Sequence, residues 1–218
     1  VQKIADTTQV IFKTRNLELA ERETFAKIFE DNYSVENSAI SYQNVSETIS
    51  KEMTVDAVWA VVIAVILMLI YIWFRFSDFR FATSAVIALV HDILVVLTCY
   101  ALVRISVGST FIAVMLTILG YSINDTIVTF DRIRENLKSK PRVTQSELKE
   151  IANKSITQTL SRSINTSVTT FVMVLLLYIL GVASIREFAL PLMVGVISGT
   201  YSSICIATEL WFEMKIQQ

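Results

Sequence analysis

Histidine and cysteine are nearly missing from this 218-residue sequence, which has one His and two Cys. Cys99 and Cys205 lie far apart in apolar segments, with neither metal spacing nor a disulfide framework, so both read as small buried hydrophobes. An excess of one charge is missing too. Nineteen Lys and Arg face twenty Asp and Glu, and the net charge of -1 lacks the basic footprint of a nucleic-acid binder, so no nucleic-acid partner is expected. The sequence has no nucleophile triad, phosphate loop or metal cluster, which excludes visible machinery for covalent catalysis: no enzyme, metal or cofactor is expected. A signal-peptide pattern is also missing, and the chain, starting at Val1 with polar and charged residues, reads as a piece of a longer protein.

What the sequence does have is apolar length. Hydrophobic residues make up 53% and the mean hydropathy is +0.55, too apolar for a soluble domain, so the chain reads as a polytopic α-helical membrane protein in contact with lipid. Ala57–Phe74 is uncharged over 18 residues, about 27 Å as helix and close to the roughly 30 Å of a hydrocarbon core. Four more long apolar segments follow. Five transmembrane helices are predicted within 54–213, at about 55–76, 81–104, 107–131, 155–181 and 185–212, with a loop at 132–154. Eleven of the thirteen Lys and Arg from Arg75 onward fall at one set of helix ends or, for Arg162, on that side; only Arg104 and Arg186 lie opposite. Basic loops stay cytoplasmic, which places residues 1–53 outside and the C-terminus inside.

Local signals add detail. Thr144-Gln-Ser-Glu147 forms a capping box and predicts a short surface helix in the cytoplasmic loop; Ser184-Ile-Arg-Glu187 predicts another cap at the start of the last helix. Gly195 and Gly199 make a small-xxx-small pattern that admits a close neighbour, and Pro191 is expected to kink that helix. Residues 1–53 are different in kind. "TTQVIFKT" alternates like a strand, "LELAERETFAKIFEDNY" has helical spacing and "SAISYQNVS" reads as a second strand. A piece this small buries little, so it is expected to be part of a larger extracytoplasmic α/β domain.

Charges inside the predicted membrane segments are the candidates for function. A carboxylate there costs on the order of 2.5–3.5 kcal/mol even on lenient scales. Asp125 lies six residues inside Asp131-Arg132, about 9 Å deep, and Arg162 about 12 Å deep on the next, antiparallel helix. The two are expected to meet; the alternative is that both snorkel to the interface. Thr159, Arg162, Thr166, Thr169 and Thr170 recur at helical intervals with Asn165 beside them, a polar stripe expected to face the bundle interior or a watery cavity. His91-Asp92, near mid-bilayer, reads equally as a proton relay or as a structural pair. The Asp131-Arg132 pair reads as a cytoplasmic interface anchor.

The segments "GYSINDTIVTFDRIREN", "FRFATSAVIALVHDILV", "TLSRSINTSVTT" and "REFALPLMVGVISGTYSSICIA" resemble the SecF family, the partner half of the SecDF protein-export factor, across nearly all of 54–212. The resemblance implies a resistance-nodulation-division fold of two related six-helix halves, with five helices of one half present here after part of the extracytoplasmic domain. It implies an accessory motor of the Sec translocon in a bacterial or archaeal cell (inner) membrane, coupling protons to the export of unfolded secretory proteins, with SecD (separate or fused) and the SecYEG channel as partners. It places the proton-coupling charges on Asp125 and Arg162. His91, Asp92, Asn124 and Asn165 lie in matching motifs, and Thr166 and Thr169 join them as supporting candidates from the stripe. Two alternatives stay open: a proton-driven small-molecule or lipid exporter of the same superfamily, and a purely structural translocon subunit.

Overall fold

The computed structural model describes residues 2–3, 10–12, 14, 17–33, 35, 40, 47–105, 107, 109–138 and 143–217. The chain forms two compact units, Val1–Glu52 and Met53–Gln218, one residue from the boundary expected at 53 and 54.

In the first unit, β1 (Gln2–Lys3) and β2 (Val10–Ile11) pair antiparallel, Gln2 opposite Ile11 and Lys3 opposite Val10. The amphipathic stretch forms α1 (Leu19–Tyr33). Phe12 sets its ring against Phe25 and Phe29 at centroid distances of 6.0 and 5.1 Å, and Phe29 stacks on Tyr33 at 5.6 Å. Ala26 alone is buried among the described residues of this unit, while Leu19 and Ile28 stay exposed. The second strand expected at 38–46 lies outside the described residues, apart from Ile40.

The second unit is helical: α2 (Glu47–Phe76, here from Met53), α3 (Phe79–Val103), α4 (Ser109–Lys138), α5 (Gln145–Leu180), α6 (Ala183–Tyr201), a π-helical turn (Ser202–Ala207) and α7 (Thr208–Ile216). Five helical stretches are long and apolar enough to cross a membrane: Val55–Phe76, Phe79–Val103, Thr110–Lys138, Gln145–Leu180 and Ile185–Ile216. Two-residue turns are possible where the backbone can go left-handed. Ser77 (φ 55°) ends α2 with its N–H on the Trp73 carbonyl at 2.8 Å, and Asp78 caps α3 by accepting from the Arg80 N–H at 3.1 Å. Arg104 (φ 57°) closes α3 in the same conformation.

Three expectations are corrected. The loop placed at 132–154 is mostly helix, because α4 continues to Lys138 and α5 starts at Gln145. The capping box forms, with Thr144 N–H donating to Glu147 Oε2 at 2.9 Å, yet it starts α5 itself and no separate surface helix follows. Leu148, Ile151 and Ala152 explain why: they are buried, which ties the first turns of α5 into the core. The cap expected at Ser184 also moves. Val182 is the N-cap, without a side-chain hydrogen bond, and its carbonyl accepts from Ile185 and Arg186, so Ser184 falls within the first turn. The last helix, expected as one run, carries the π turn at Ser202–Ala207. Pro191 lies inside α6, where it lacks the N–H for the carbonyl one turn back.

Apolar side chains form two clusters. One contains Phe76, Phe81, Phe130 and Trp211, with Phe81 stacked on Trp211 at 5.0 Å and 4.8 Å from Phe130. The other contains Val96, Tyr100, Met115, Ile118, Leu192 and Met193. Along α3 and α6–α7 buried polar residues fall between the two clusters in sequence, Asp92 on the one and Ser198, Ser202 and Ser203 on the other, while on α4 Ser122, Asp125, Thr126 and Thr129 interleave with Leu119, Ile123 and Phe130 of the first cluster. A polar layer thus crosses these helices. Gly195 and Gly199 bring α6 against α4 as the pattern predicts. A Cβ at 195 would run into the Ile118 side chain, and one at 199 would lie 3.1 Å from Ser122 Cβ.

Candidate functional site

Asp125 lies on the buried face of α4, with 7% of its surface exposed. Ser163 of α5 donates its hydroxyl to Asp125 Oδ1 at 2.6 Å, whereas the buried Oδ2 has no hydrogen-bond partner among the described residues. A buried carboxylate oxygen left bare is expensive in an apolar surrounding and calls for a reason. The snorkelling alternative does not describe this side chain, which points into the helix packing.

Arg162 does not make the expected contact. No ion pair joins it to Asp125 among the described residues, and it is exposed. Neighbouring positions on a helix diverge by about 100°, so turning Ser163 toward α4 swings Arg162 aside. It borders a groove of about 200 Å³ with Val128, Asp131, Arg132, Glu135, Gln158 and Thr159. The α5 stripe follows it outward. Asn165, Thr166 and Thr169 are exposed, Thr170 is half-buried and only Thr159 is buried. Their hydroxyls are occupied by their own helix: Thr166 donates to the Arg162 carbonyl at 3.0 Å and Thr169 to that of Asn165 at 2.9 Å. The stripe, expected to face the bundle interior or a watery cavity, lies within this chain mostly on the uncovered side of α5. Asn124 is likewise exposed.

The inward face of α5 is a line of hydroxyls, two of which, Ser163 and Ser167, stand outside the stripe expected from the sequence. Thr159, Ser163 and Ser167 recur every four residues. Ser167 accepts from the Tyr121 hydroxyl at 2.9 Å and shares a hydrogen bond with Thr200 of α6 at 2.5 Å. Small residues at helix contacts allow close approach in membranes, a signal that favours the serines over the larger residues beside them.

Asp92 is the second intramembrane carboxylate, and it is completely buried. Its Oδ2 accepts from Ser122 and Ser202, each at 2.6 Å, and its Oδ1 from Ser198 at 2.6 Å. His91 Nδ1 stands 3.2 Å from Oδ1, with the imidazole partly exposed and its ring 6.2 Å from that of Tyr201. The His91–Asp92 contact therefore exists, but serines from other helices make the shorter bonds.

Asp131 and Arg132 do not pair with each other. Asp131 bonds Arg75 at 3.0 Å and Arg134 at 3.3 Å, while Arg132 bonds Glu135 at 2.9 Å. Arg134 also donates to the Arg75 carbonyl at 2.9 Å, so this ion-pair group ties the end of α2 to α4. Among the described residues no cluster of His, Cys, Asp and Glu is arranged to hold a metal.

With this geometry in hand, comparison with known proteins is informative. The family model for the C-terminal region of the protein export membrane proteins SecD and SecF matches residues 24–217. The protein translocase subunit SecDF of Bacillus subtilis is 42% identical over 198 residues, which cover 89% of this chain and 26% of that protein. The SecF subunit of Alicyclobacillus acidocaldarius is 47% identical over 172 residues, 79% of this chain and 56% of that protein. The crystal structure of SecDF from Thermus thermophilus, a translocon-associated membrane protein, matches with a TM-score of 0.77 at 37% identity, covering 91% of this chain and 27% of that one. The chain thus spans between about a quarter and a little over half of these relatives.

Proposed function

This chain belongs to the SecD/SecF C-terminal family of protein export membrane proteins, and from that premise we propose that it is the SecF part of an accessory motor of the Sec translocase, driven by the proton gradient. The observation that carries the proposal is Asp125: a buried carboxylate in a membrane-spanning helix with one oxygen bonded to Ser163 and the other bare. Such a group can take a proton onto Oδ2 without breaking any hydrogen bond it already has. One charge moved across 100 mV is worth about 2.3 kcal/mol, enough to bias a conformational equilibrium.

The exposed stripe of α5 supplies the second half of the proposal. Arg162, Asn165, Thr166 and Thr169 stand on the uncovered face of a membrane-spanning helix, an arrangement unfavourable against lipid. We assign that face to a SecD-type partner half, separate or fused, whose acidic side chains would meet Arg162. Arg162 then acts at the partner interface and Asp125 inside this chain behind it, without the two touching in the present arrangement. The unit at 1–52 lies outside the cell membrane and the C-terminus inside, as the Lys and Arg distribution favours. The proteins served are unfolded secretory chains leaving the SecYEG channel. The work is transport without covalent chemistry, with protons as the coupling ion.

The test is export into membrane vesicles containing the full-length protein, its SecD-type partner and the translocon, with and without an imposed gradient. Asp125→Asn keeps the size and hydrogen bonding of a protonated aspartate but cannot release the proton. It is expected to remove the gradient-dependent part of export while leaving assembly intact. A full gradient response in that variant would make Asp125 structural and favour a scaffold role.

A further inference from the structure

Asp92 and Asp125 share the polar layer but differ in what surrounds them. An ionised carboxylate offers about four acceptor positions. Three of those of Asp92 are taken by the hydroxyls of Ser122, Ser198 and Ser202, with the His91 ring beside Oδ1, whereas among the described residues Asp125 has one side-chain donor, Ser163. We infer that Asp92 is a positioning residue for Asp125, the knot that fixes α6 and its π turn in one register on α4, and is not a second proton carrier. The inference rests on the proton-coupling reading of Asp125 and gives the neighbouring carboxylate a distinct job.

The connection runs through the backbone of α4. Ser122 lies one turn before Asp125, and its side chain is held by Asp92. Its carbonyl accepts from Ser203 at 3.1 Å and from Thr126 at 3.2 Å, and Thr126 shares a hydrogen bond with Ser203 at 2.8 Å. Residues on both sides of Asp125 are therefore bound to the π turn, one through Asp92 and one directly. No side chain among the described residues bridges the two carboxylates.

Gly195 and Gly199 bring the α6 backbone against Ile118 and Ser122 of α4, and the Ile118 side chain fills the space a Cβ at 195 would take, so packing contributes to the register. In a membrane the hydrophobic effect does not hold helices together, and packing and hydrogen bonds must do so. Three serine hydroxyls converging on one buried carboxylate provide the hydrogen-bonded part of that register. A proton on Asp92 would remove the charge that the three serine hydroxyls bind and weaken those bonds, which loosens α6 from α4; a proton on Asp125 Oδ2 displaces no donor among the described residues.

A covalent lock separates the two roles. In a background without Cys99 and Cys205, Ile118→Cys and Gly195→Cys place two thiols across the contact where a Cβ at 195 meets the Ile118 side chain, within the reach a disulfide needs. In the vesicle assay, Asp92→Asn with the thiols reduced should lower gradient-dependent export by about tenfold or more, the scale of losing bonds to a charged group. Forming the bridge should restore export to near that of the bridged protein with Asp92 intact. Ser122→Ala with Ser202→Ala should show the same loss and the same rescue, and it decides the matter if Asp92→Asn fails to insert. Undiminished export in these variants overturns the inference. So does a loss that the formed bridge does not repair, as a proton carrier requires, and so does a bridge that stops export with Asp92 present. Asp125→Asn in parallel keeps the questions apart: a full gradient response there removes the proton reading whatever the bridge does.

Discussion

At the scale of single residues, the number of donors around a carboxylate separates the charges that look alike in sequence. Among the described residues, Asp125 accepts from Ser163 alone. Ser163→Ala should therefore reduce gradient-dependent export by about tenfold, since a hydrogen bond to a charged group is worth about 1.5–3 kcal/mol. Thr170→Ala, farther along α5, should change it by less than about twofold, within the range of an ordinary interhelical contact. Arg162→Lys should impair export less than Arg162→Ala, because lysine keeps the charge without the planar fork. Dose–response of export against the imposed gradient in vesicles ranks the four; equal effects of Ser163→Ala and Thr170→Ala would contradict the site. Asp125 was legible in the sequence because a carboxylate in an apolar run stands out. Ser163 was not, since a serine between Arg162 and Ile164 carries no such signal. The direction of Arg162 was hidden too: depth along a helix follows from counting residues, but azimuth depends on which neighbours pack.

At the scale of elements, α6 and the π turn show what a hydropathy pattern can and cannot carry. The Gly195–Gly199 spacing announced a close neighbour without saying which, and in the structure it is α4. Gly199→Leu should force the helices apart and lower the thermal stability of the purified protein in detergent by about 1–3 kcal/mol, the usual cost of overpacking; an unchanged melting curve would remove this contact from the core. The π turn at Ser202–Ala207 was not legible, because one extra residue in a helical turn leaves composition and hydropathy untouched. The capping box at Thr144 was read correctly and its helix was not. Thr144→Ala should cost about 1 kcal/mol, seen as faster amide exchange over the first turns of α5. Because those turns bury Leu148 and Ile151, the helix is one continuous rod, and the charged stretch that suggested a loop is its solvated face.

At the scale of the whole molecule, five membrane-length helices were legible from apolar runs, and their polar layer was only half legible. Asp92 and Asp125 were visible, but the serines that complete the layer become meaningful only when α3, α4 and α6 are brought together. Orientation is a separate question with its own check. In the background without Cys99 and Cys205, cysteines at Gly108 and Ser184 should react with an impermeant thiol reagent from outside, and one at Ser139 only from the cytoplasm; labelling of 139 in intact cells would invert the scheme. The central claim is that Asp125 is the group that passes the proton, and the most direct measurement is proton flux itself. Vesicles containing the full-length protein with its SecD-type partner and translocon, loaded with a pH-sensitive dye, are followed while a secretory chain is in transit. The account predicts a transit-dependent proton flux that is lost in Asp125→Asn while the protein remains assembled; the same flux in Asp125→Asn as in the unmodified protein would contradict it.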